Sequence, residues 1–489
     1  MVETGPGRLC HVWVRIHAPD PMLRLAPILL LIAPQSTDLA PAPPVPALVS
    51  QVQGTRAAKT VRELVALGPR MGGTPSGERS AAYLEEALRA LGLSTRRIEE
   101  KEQLVHWENS WDLKAVITPK EGGPSRAVDL PRTWPYGFSP RASGRARVSL
   151  GSNAGEVGLF ESFHRPSRKG PALAVGLVDG YNTDPGDWPR LRPLRSTARN
   201  PYPVFGISAE AGGILRAALA NGDSVELEYE LDAHVESRPT ISVEARLLPK
   251  EGAAPGFFLV CAHGDSDAGG PGANDNASGV AIVLEMARSW KAAIDAGSAK
   301  APEREVRFVI WGSEFLSTRQ YLDAVLANES EILLGVLNFD QAGFGAGADQ
   351  LNVEPDDLAS NRAFVHTACD VLNSHAGTPG FPKRWATNKS LGGTDSYTFS
   401  GSEMFRKQGL PAVTLFTSAW DKAEEHPRTK GMPGESWNER DRVGVDYDPY
   451  YHSAGDRPEL TTDREPDNMV WCARVGLLTV ARYLETLPD

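Results

Sequence analysis

Cysteine is nearly absent from this chain: there are four in 489 residues, with no CxxC and no close Cys/His cluster. That scarcity excludes a dense disulfide framework and argues against a structural zinc finger. Cys261 falls in an apolar run and reads as a small buried hydrophobe, while Cys369 and Cys472 sit in helical, apolar surroundings. Cys10 lies upstream of the expected mature start, which leaves an odd number and no pairing. Positive charge is also short: Lys and Arg total 51 against 62 Asp and Glu, a formal net charge of -11. This speaks against a nucleic-acid footprint, and the acid excess is scattered without forming a tail, so its simplest role is solubility. No internal repeat is visible. The leader-like apolar run at residues 25–33 is too short to span a bilayer, so no stable membrane span is expected in the mature chain.

What is present is a chain long enough for a full core and for more than one average domain. Met22-Leu-Arg, the apolar run after it and small residues around Ala40 have the form of a secretory leader. The alternative is a disordered apolar tail, given Pro27 and Pro34. A Pro/Ala linker closes the first 47 residues, and a secreted or periplasmic location is expected. Residues 48–120 supply a helix whose face is Val61, Leu64, Val65 and Leu67, the turn Gly68-Pro-Arg-Met-Gly-Gly, a second helix over 80–91 and a strand over 95–118. Between 121 and 235 the composition shifts to Pro, Gly, Arg and Ser with short strand-sized runs at 173–178 and 225–231, which reads as an inserted domain. A strand over 240–247 opens the remainder, 236–489, where strands and helices alternate in the manner of an α/β sandwich.

The chemistry gathers where apolar strands end. The run 257–262 delivers His263 and Asp265 onto a glycine-rich loop; Asp275 follows among small residues before an apolar-periodic helix through Val280, Val283, Leu284 and Ala287. The strand 306–311 ends at Gly312-Ser313-Glu314-Phe315, the strand 334–339 ends at Asp340, and Asp448-Pro-Tyr-Tyr451-His452-Ser-Ala-Gly-Asp456 places a histidine in a late loop. Sites in α/β sheets form at the carboxyl ends of strands, so these residues can converge although distant in sequence. Singly, each is as readily a cap or a hydrogen-bonded loop residue. Jointly, His263, Asp275, Asp340 and His452 are the imidazole and carboxylate donors that suit zinc, with Glu314 alongside.

AHGDS with GPGANDNASGVA closely resembles the signature of the M28 zinc metallopeptidases; GPRMGGTPSGERSAAYLEEALRALGL before it looks like the family's N-terminal helices, and VRFVIWGSE, LNFDQAG and YYHSAGD follow it in the family's order. The resemblance covers residues 57–118 and 236–489, and the 121–235 segment more weakly resembles a protease-associated domain. It implies a three-layer α/β/α zinc-exopeptidase fold with a mixed central sheet, a smaller mostly-β insert, and aminopeptidase action on peptides. It further implies that His263 and Asp340 hold one zinc, that Asp275 bridges to a second, and that His452 binds the second. Glu314 then takes the place of the general base, removing a proton from a water whose pKa zinc lowers to about 7. Phe315 stands where the family has a second Glu, and Phe cannot bind zinc, so the expectation is one to two zinc ions per chain with the His452 ion the labile one. A shifted register instead makes Glu314 the ligand and leaves Ser313 at the base position. Asp265 is expected to orient His263, or else to cap its loop. Asp395, in Gly393-Thr-Asp-Ser, is a candidate substitute carboxylate or amine anchor, or an Asx turn; Tyr451 lines the pocket or packs as an aromatic. A non-catalytic binding protein and a single-zinc, glutaminyl-cyclase-like amide chemistry are the rival functions.

Overall fold

The computed structural model of the chain describes residues 46–150, 157–160, 176–179, 188–189, 191, 202–266, 269–328, 330–345, 350–388, 409–418 and 448–488. The leader and Asp395 lie outside the described residues.

Two helices come first, α1 (Gly54–Ala66) and α2 (Pro75–Ala90). The turn between them ends at Thr74, whose hydroxyl accepts the Gly77 N–H and caps α2, with Pro75 at the first helical position. Strand β1 (Ser94–Thr118) leads into β2 (Arg126–Asp129), β3 (Trp134–Pro135), β4 (Ala142–Leu150), β5 (Val157–Phe160), β6 (Gly176–Asp179) and β7 (Val204–Ile207). Helix α3 (Ala209–Asn221), capped by the Ser208 hydroxyl, precedes β8 (Ser224–Leu247). Then follow β9 (Phe257–His263), α4 (Gly279–Asp295), β10 (Glu305–Trp311), α5 (Glu314–Leu326) and β11 (Leu333–Phe339). The remaining elements are β12 (Gln350–Glu354), α6 (Arg362–His375), β13 (Arg384–Thr387), β14 (Ala412–Phe416) and α7 (Asp467–Glu485).

β9 lies between β10 and β11, parallel to both, and β11 runs parallel to β14. β8 and β12 pair antiparallel with β10 and β14, which makes the sheet mixed. Both faces are covered, as alternation along β9 shows: Phe258, Val260 and Ala262 enter a core with α1, α4, α6 and α7, whereas Phe257, Leu259 and Cys261 enter one with Tyr321, Leu322 and Val325 of α5. This is the expected layered α/β arrangement. Because the chain steps from β9 to β10 on one side and returns to β11 on the other, a crevice opens at the carboxyl end of β9, where ligands bind in such sheets.

The two strands expected at 225–231 and 240–247 are one. β8 pairs with β1 from Ser94 against Arg246 to Thr118 against Ser224, and Val225, Leu227, Tyr229, Leu231, Ala233 and Val235 are buried in strict alternation. Pro239, which suggests a break in the sequence, is accommodated opposite Glu102 at a register shift, where a missing N–H costs nothing in the ladder. Beyond the main core, a second cluster gathers Leu113, Ala115 and Ile117 of β1, Leu227 of β8, Phe205 of β7 and Leu215 of α3. No helix among the described residues is long and apolar enough to cross a membrane.

Candidate metal centre

The loop after β9 is tied down before any donor is considered. Arg70, fully buried in the α1–α2 turn, donates to the carbonyls of Gly264 (3.3 Å), Pro271 (2.8 Å) and Gly272 (2.7 Å), and its own N–H donates to Ser266 Oγ at 2.9 Å. Burial lowers the Arg70 pKa to about 10, while Asp456, Asp265 and Asp275 oppose that shift. Gly272 sits at φ 60°, where a Cβ would fall 2.5 Å from that of Ser266, so no other residue closes this turn.

The small polar residues around Asp275 hold the end of β11 and the late histidine loop. Asn274 accepts the Gly343 N–H at 3.0 Å and donates to Asp448 at 2.8 Å; Asn276 donates to the Phe339 carbonyl at 2.8 Å; Ser278 Oγ accepts the Ala342 N–H at 3.1 Å. Asp456 accepts the backbone N–H of Asn274 (2.7 Å) and of Asp275 (2.9 Å). These bonds fix the Asp275 backbone, and its side chain bridges two imidazoles: Oδ1 is 3.2 Å from His263 Nε2 and Oδ2 is 3.1 Å from His452 Nε2. Asp340 completes the group, its Oδ1 lying 3.5 Å from the same His263 nitrogen. On the other side of its ring, His263 Nδ1 meets Asp265 Oδ1 at 3.0 Å and the Asp265 carbonyl at 3.1 Å. Both partners are acceptors, so Nδ1 carries the proton and Nε2 faces the carboxylates.

The electrostatics describe a place built for positive charge. Burial lowers the His263 pKa, but hydrogen bonds with Asp265, Asp275 and Asp340, together with the charge of Glu314, outweigh it and raise the value well above the usual one. Burial raises the Asp275 pKa, and the two histidines overcome it and bring the value below the normal carboxylate range. For Asp340 burial wins over His263, and its pKa is raised. Asp456 is raised well above normal by burial and the neighbouring Asp448, against the two amides it accepts. Asp340 Oδ1 is buried, and its approach to His263 Nε2, at 3.5 Å, is longer than a well-formed hydrogen bond. One ligand atom each from His263, Asp275 and Asp340 lies within 4.8 Å of the others, which fits a divalent cation taking imidazole and carboxylate donors.

Glu314 opens α5 immediately after β10, its N–H 3.4 Å from Asp265 Oδ2, and it is outside the three-residue donor group. The turn beneath it is braced by buried Glu100, which accepts hydrogen bonds from the hydroxyls of Thr240, Ser242 and, at 2.6 Å, Ser317. Those hydroxyls in turn accept the N–H of Gly312 (Ser242, 3.0 Å) and of Ser313 (Ser317, 2.8 Å). Residues 316–320 lie within α5. The Tyr451 ring stacks on the His452 ring at 3.8 Å between centroids, and His452 itself adopts φ 49°.

Of the residues singled out in the sequence, His263, Asp265, Asp275, Asp340, His452, Glu314 and Tyr451 converge, and Asp395 is outside the described residues. Arg70, Asn274, Glu100 and Asp448 were not singled out. Arg70 lies in the GPRMGG turn, and a charged residue among glycines is the signal that the sequence offers.

Residues 243–475 match the family model described as peptidase family M28. Aminopeptidase YwaD of Bacillus subtilis is 26% identical over 311 residues, 60% of this chain and 63% of that protein. Leucine aminopeptidase 2 of Trichophyton equinum is 29% identical over 308 residues, 61% of this chain and 56% of that one. The probable lipoprotein aminopeptidase LpqL of Mycobacterium tuberculosis is 25% identical over 412 residues, 80% and 76% of the two chains. The chain thus spans less than two thirds of the length of the first two relatives. Among solved structures, BSAP, a zinc aminopeptidase from Bacillus subtilis, superposes with a TM-score of 0.55 at 19% identity, covering 88% of this chain and 95% of that one. A peptidase M28 precursor from Shewanella amazonensis gives 0.58 at 18% identity, covering 90% and 96%. These likenesses establish a shared fold. Motif order and fold agree with the family match, and residues 243–475 form a peptidase family M28 domain.

Proposed function

We propose that this protein is a zinc-dependent aminopeptidase that removes residues from the N-termini of peptides and works in the envelope or outside the cell. The observation that carries the reading is Asp275, whose two carboxylate oxygens each face a different histidine, His263 at 3.2 Å and His452 at 3.1 Å. His263 and Asp340 then hold one zinc, Asp275 is shared, and His452 serves the second position, with one to two ions per chain. Bound zinc polarises a scissile carbonyl and lowers the pKa of a water to about 7. Asp265 keeps the His263 ring in the orientation and tautomer that leave Nε2 as the donor. Glu314, whose N–H lies 3.4 Å from Asp265 Oδ2 and which is not among the three clustered donors, is assigned the proton transfer from the attacking water to the leaving amine. Residues 121–235 form an inserted domain with its own apolar cluster around β1 and β8. The names of the curated relatives, aminopeptidases in each case, support the substrate class.

The test is Glu314→Gln. Loss of chromophore release from aminoacyl anilides with zinc content retained supports the base role. A fall in zinc content instead makes Glu314 a ligand, and the absence of turnover by the zinc-loaded wild type across a broad anilide panel overturns the peptidase reading.

A further inference from the structure

The described part of the 121–235 segment touches the donor-bearing loops directly. The Leu191 N–H donates to the His452 carbonyl at 2.5 Å and the Ala454 N–H donates to the Pro189 carbonyl at 3.1 Å, a narrow antiparallel bridge between residues 189–191 and 452–454. The Trp188 ring lies flat against the next residue: a Cβ on Gly455 would fall 2.7 Å from Trp188 Cγ. The guanidinium groups of Arg132 and Arg457 sit 5.1 and 5.0 Å from that ring, so the indole is held from both the insert and the catalytic region. Leu191 is fully buried and packs on Gly270, where a Cβ would approach its Cδ1 to 3.1 Å. Trp134, in the same apolar cluster, donates its indole N–H to the Gly269 carbonyl at 3.2 Å.

These contacts reach His452 through its main chain, while its ring Nε2 meets Asp275 Oδ2 at 3.1 Å. A histidine at φ 49° is in a region that costs an L-residue free energy unless its surroundings hold it there. One bridge bond falls on His452 itself and the other, with the Trp188 contact, on Ala454 and Gly455; all three come from the insert and add to the loop's own bond from the Ser453 N–H to the Tyr450 carbonyl at 3.0 Å. We infer that Trp188, Pro189 and Leu191 are positioning residues for His452: they set its backbone so that Nε2 reaches the second cation position shared with Asp275. The insert is therefore part of the metal centre's scaffold. The inference rests on His452 being a ligand, and on no titration.

The experiment is calorimetric titration of metal-stripped full-length protein with Zn²⁺, repeated with Co²⁺ to follow the absorption of each bound ion. Wild type is expected to bind in a tight and a weak step, with His452→Ala removing only the weak one. Trp188→Ala should weaken the weak step by ~10-fold or more, as loss of an outer support does, and leave the tight step within about threefold, with Trp188→Phe restoring most of the loss. Leu191→Ala should show the same selectivity and serves if Trp188→Ala does not fold. An unchanged weak step in Trp188→Ala or Leu191→Ala, or equal weakening of both steps, overturns the inference while leaving His452 a ligand. A single step untouched by His452→Ala overturns the ligand reading itself, and the inference with it.

Discussion

The contact between Asp265 and His263 is where a small perturbation separates orientation from ligation. His263 Nδ1–H donates to the Asp265 carboxylate at 3.0 Å and to its main-chain carbonyl at 3.1 Å, inside a site where His263 is only 1% exposed. Replacing Asp265 by Asn turns a charge-assisted bond of about 1.5–3 kcal/mol into a neutral one of about 0.5–1.5 kcal/mol, a loss of ~1–1.5 kcal/mol. The Asn amide also turns a donor toward the Glu314 N–H, which now approaches Oδ2 at 3.4 Å. Since ~1.4 kcal/mol is a factor of ten, Asp265→Asn should lower zinc affinity at the tight position ~10-fold. Asp265→Ala, with only the main-chain acceptor left, should fall within the ~10–100-fold range of outer-shell losses. Competition against a chromogenic chelator at neutral pH reads both. Asp265→Ala within about twofold of wild type would falsify the orienting role, and complete loss of the tight ion would show that Asp265 ligates the metal itself.

Two further outcomes concern the frame around the site. Arg70→Ala leaves three buried carbonyls without their donor; at ~1–3 kcal/mol each, shared between two good bonds and one long one, the loss should be ~3–5 kcal/mol. Chaotrope unfolding of the metal-free protein should show it, with Arg70→Lys in between and no change contradicting the tie described above. Glu244 is buried and would be raised by burial, but Arg96 and Arg246 at 2.8 and 2.9 Å hold its pKa below the ordinary value. The unfolded chain thus takes up this proton first as pH falls, so the stabilisation is present above the normal glutamate range near ~4.3 and is lost as acid carries the pH below it. Glu244→Gln should flatten the acid limb of a stability–pH profile between about pH 5 and 3, and an unaltered limb refutes the assignment.

The layered sheet was legible because its strands are buried on both faces. The continuous apolar runs at 257–262, 306–311 and 334–339 became β9, β10 and β11 within a residue or so. Helix α4 was legible from its spacing and its glycine start, where a Cβ on Gly279 would fall 2.5 Å from the Phe339 carbonyl. The residues of the candidate centre were legible as strand-end and loop imidazoles and carboxylates. What joins them was not. Asn274 and Asn276 look like loop filler in sequence, and only the fold shows that both hold the end of β11 and the turn after it. Arg70 acts on carbonyls nearly two hundred positions away, and no local pattern announces such a bond. The continuity of β8 was hidden by Pro239, whose harmlessness depends on a register shift in its partner strand.

That ribbon of β1 and β8 bears on how such a chain can change over generations. Its two strands leave the main sheet side by side and are still paired at Thr118 and Ser224, so everything between those positions enters and exits at adjacent points. A lineage could shorten, enlarge or exchange the intervening segment by recombination at the ribbon's tip, since a two-residue turn suffices to close an antiparallel pair and the sheet's register would be untouched. The bridge from Pro189 and Leu191 to the His452 loop works against such freedom, because a lineage that dropped the segment would lose those two bonds with it.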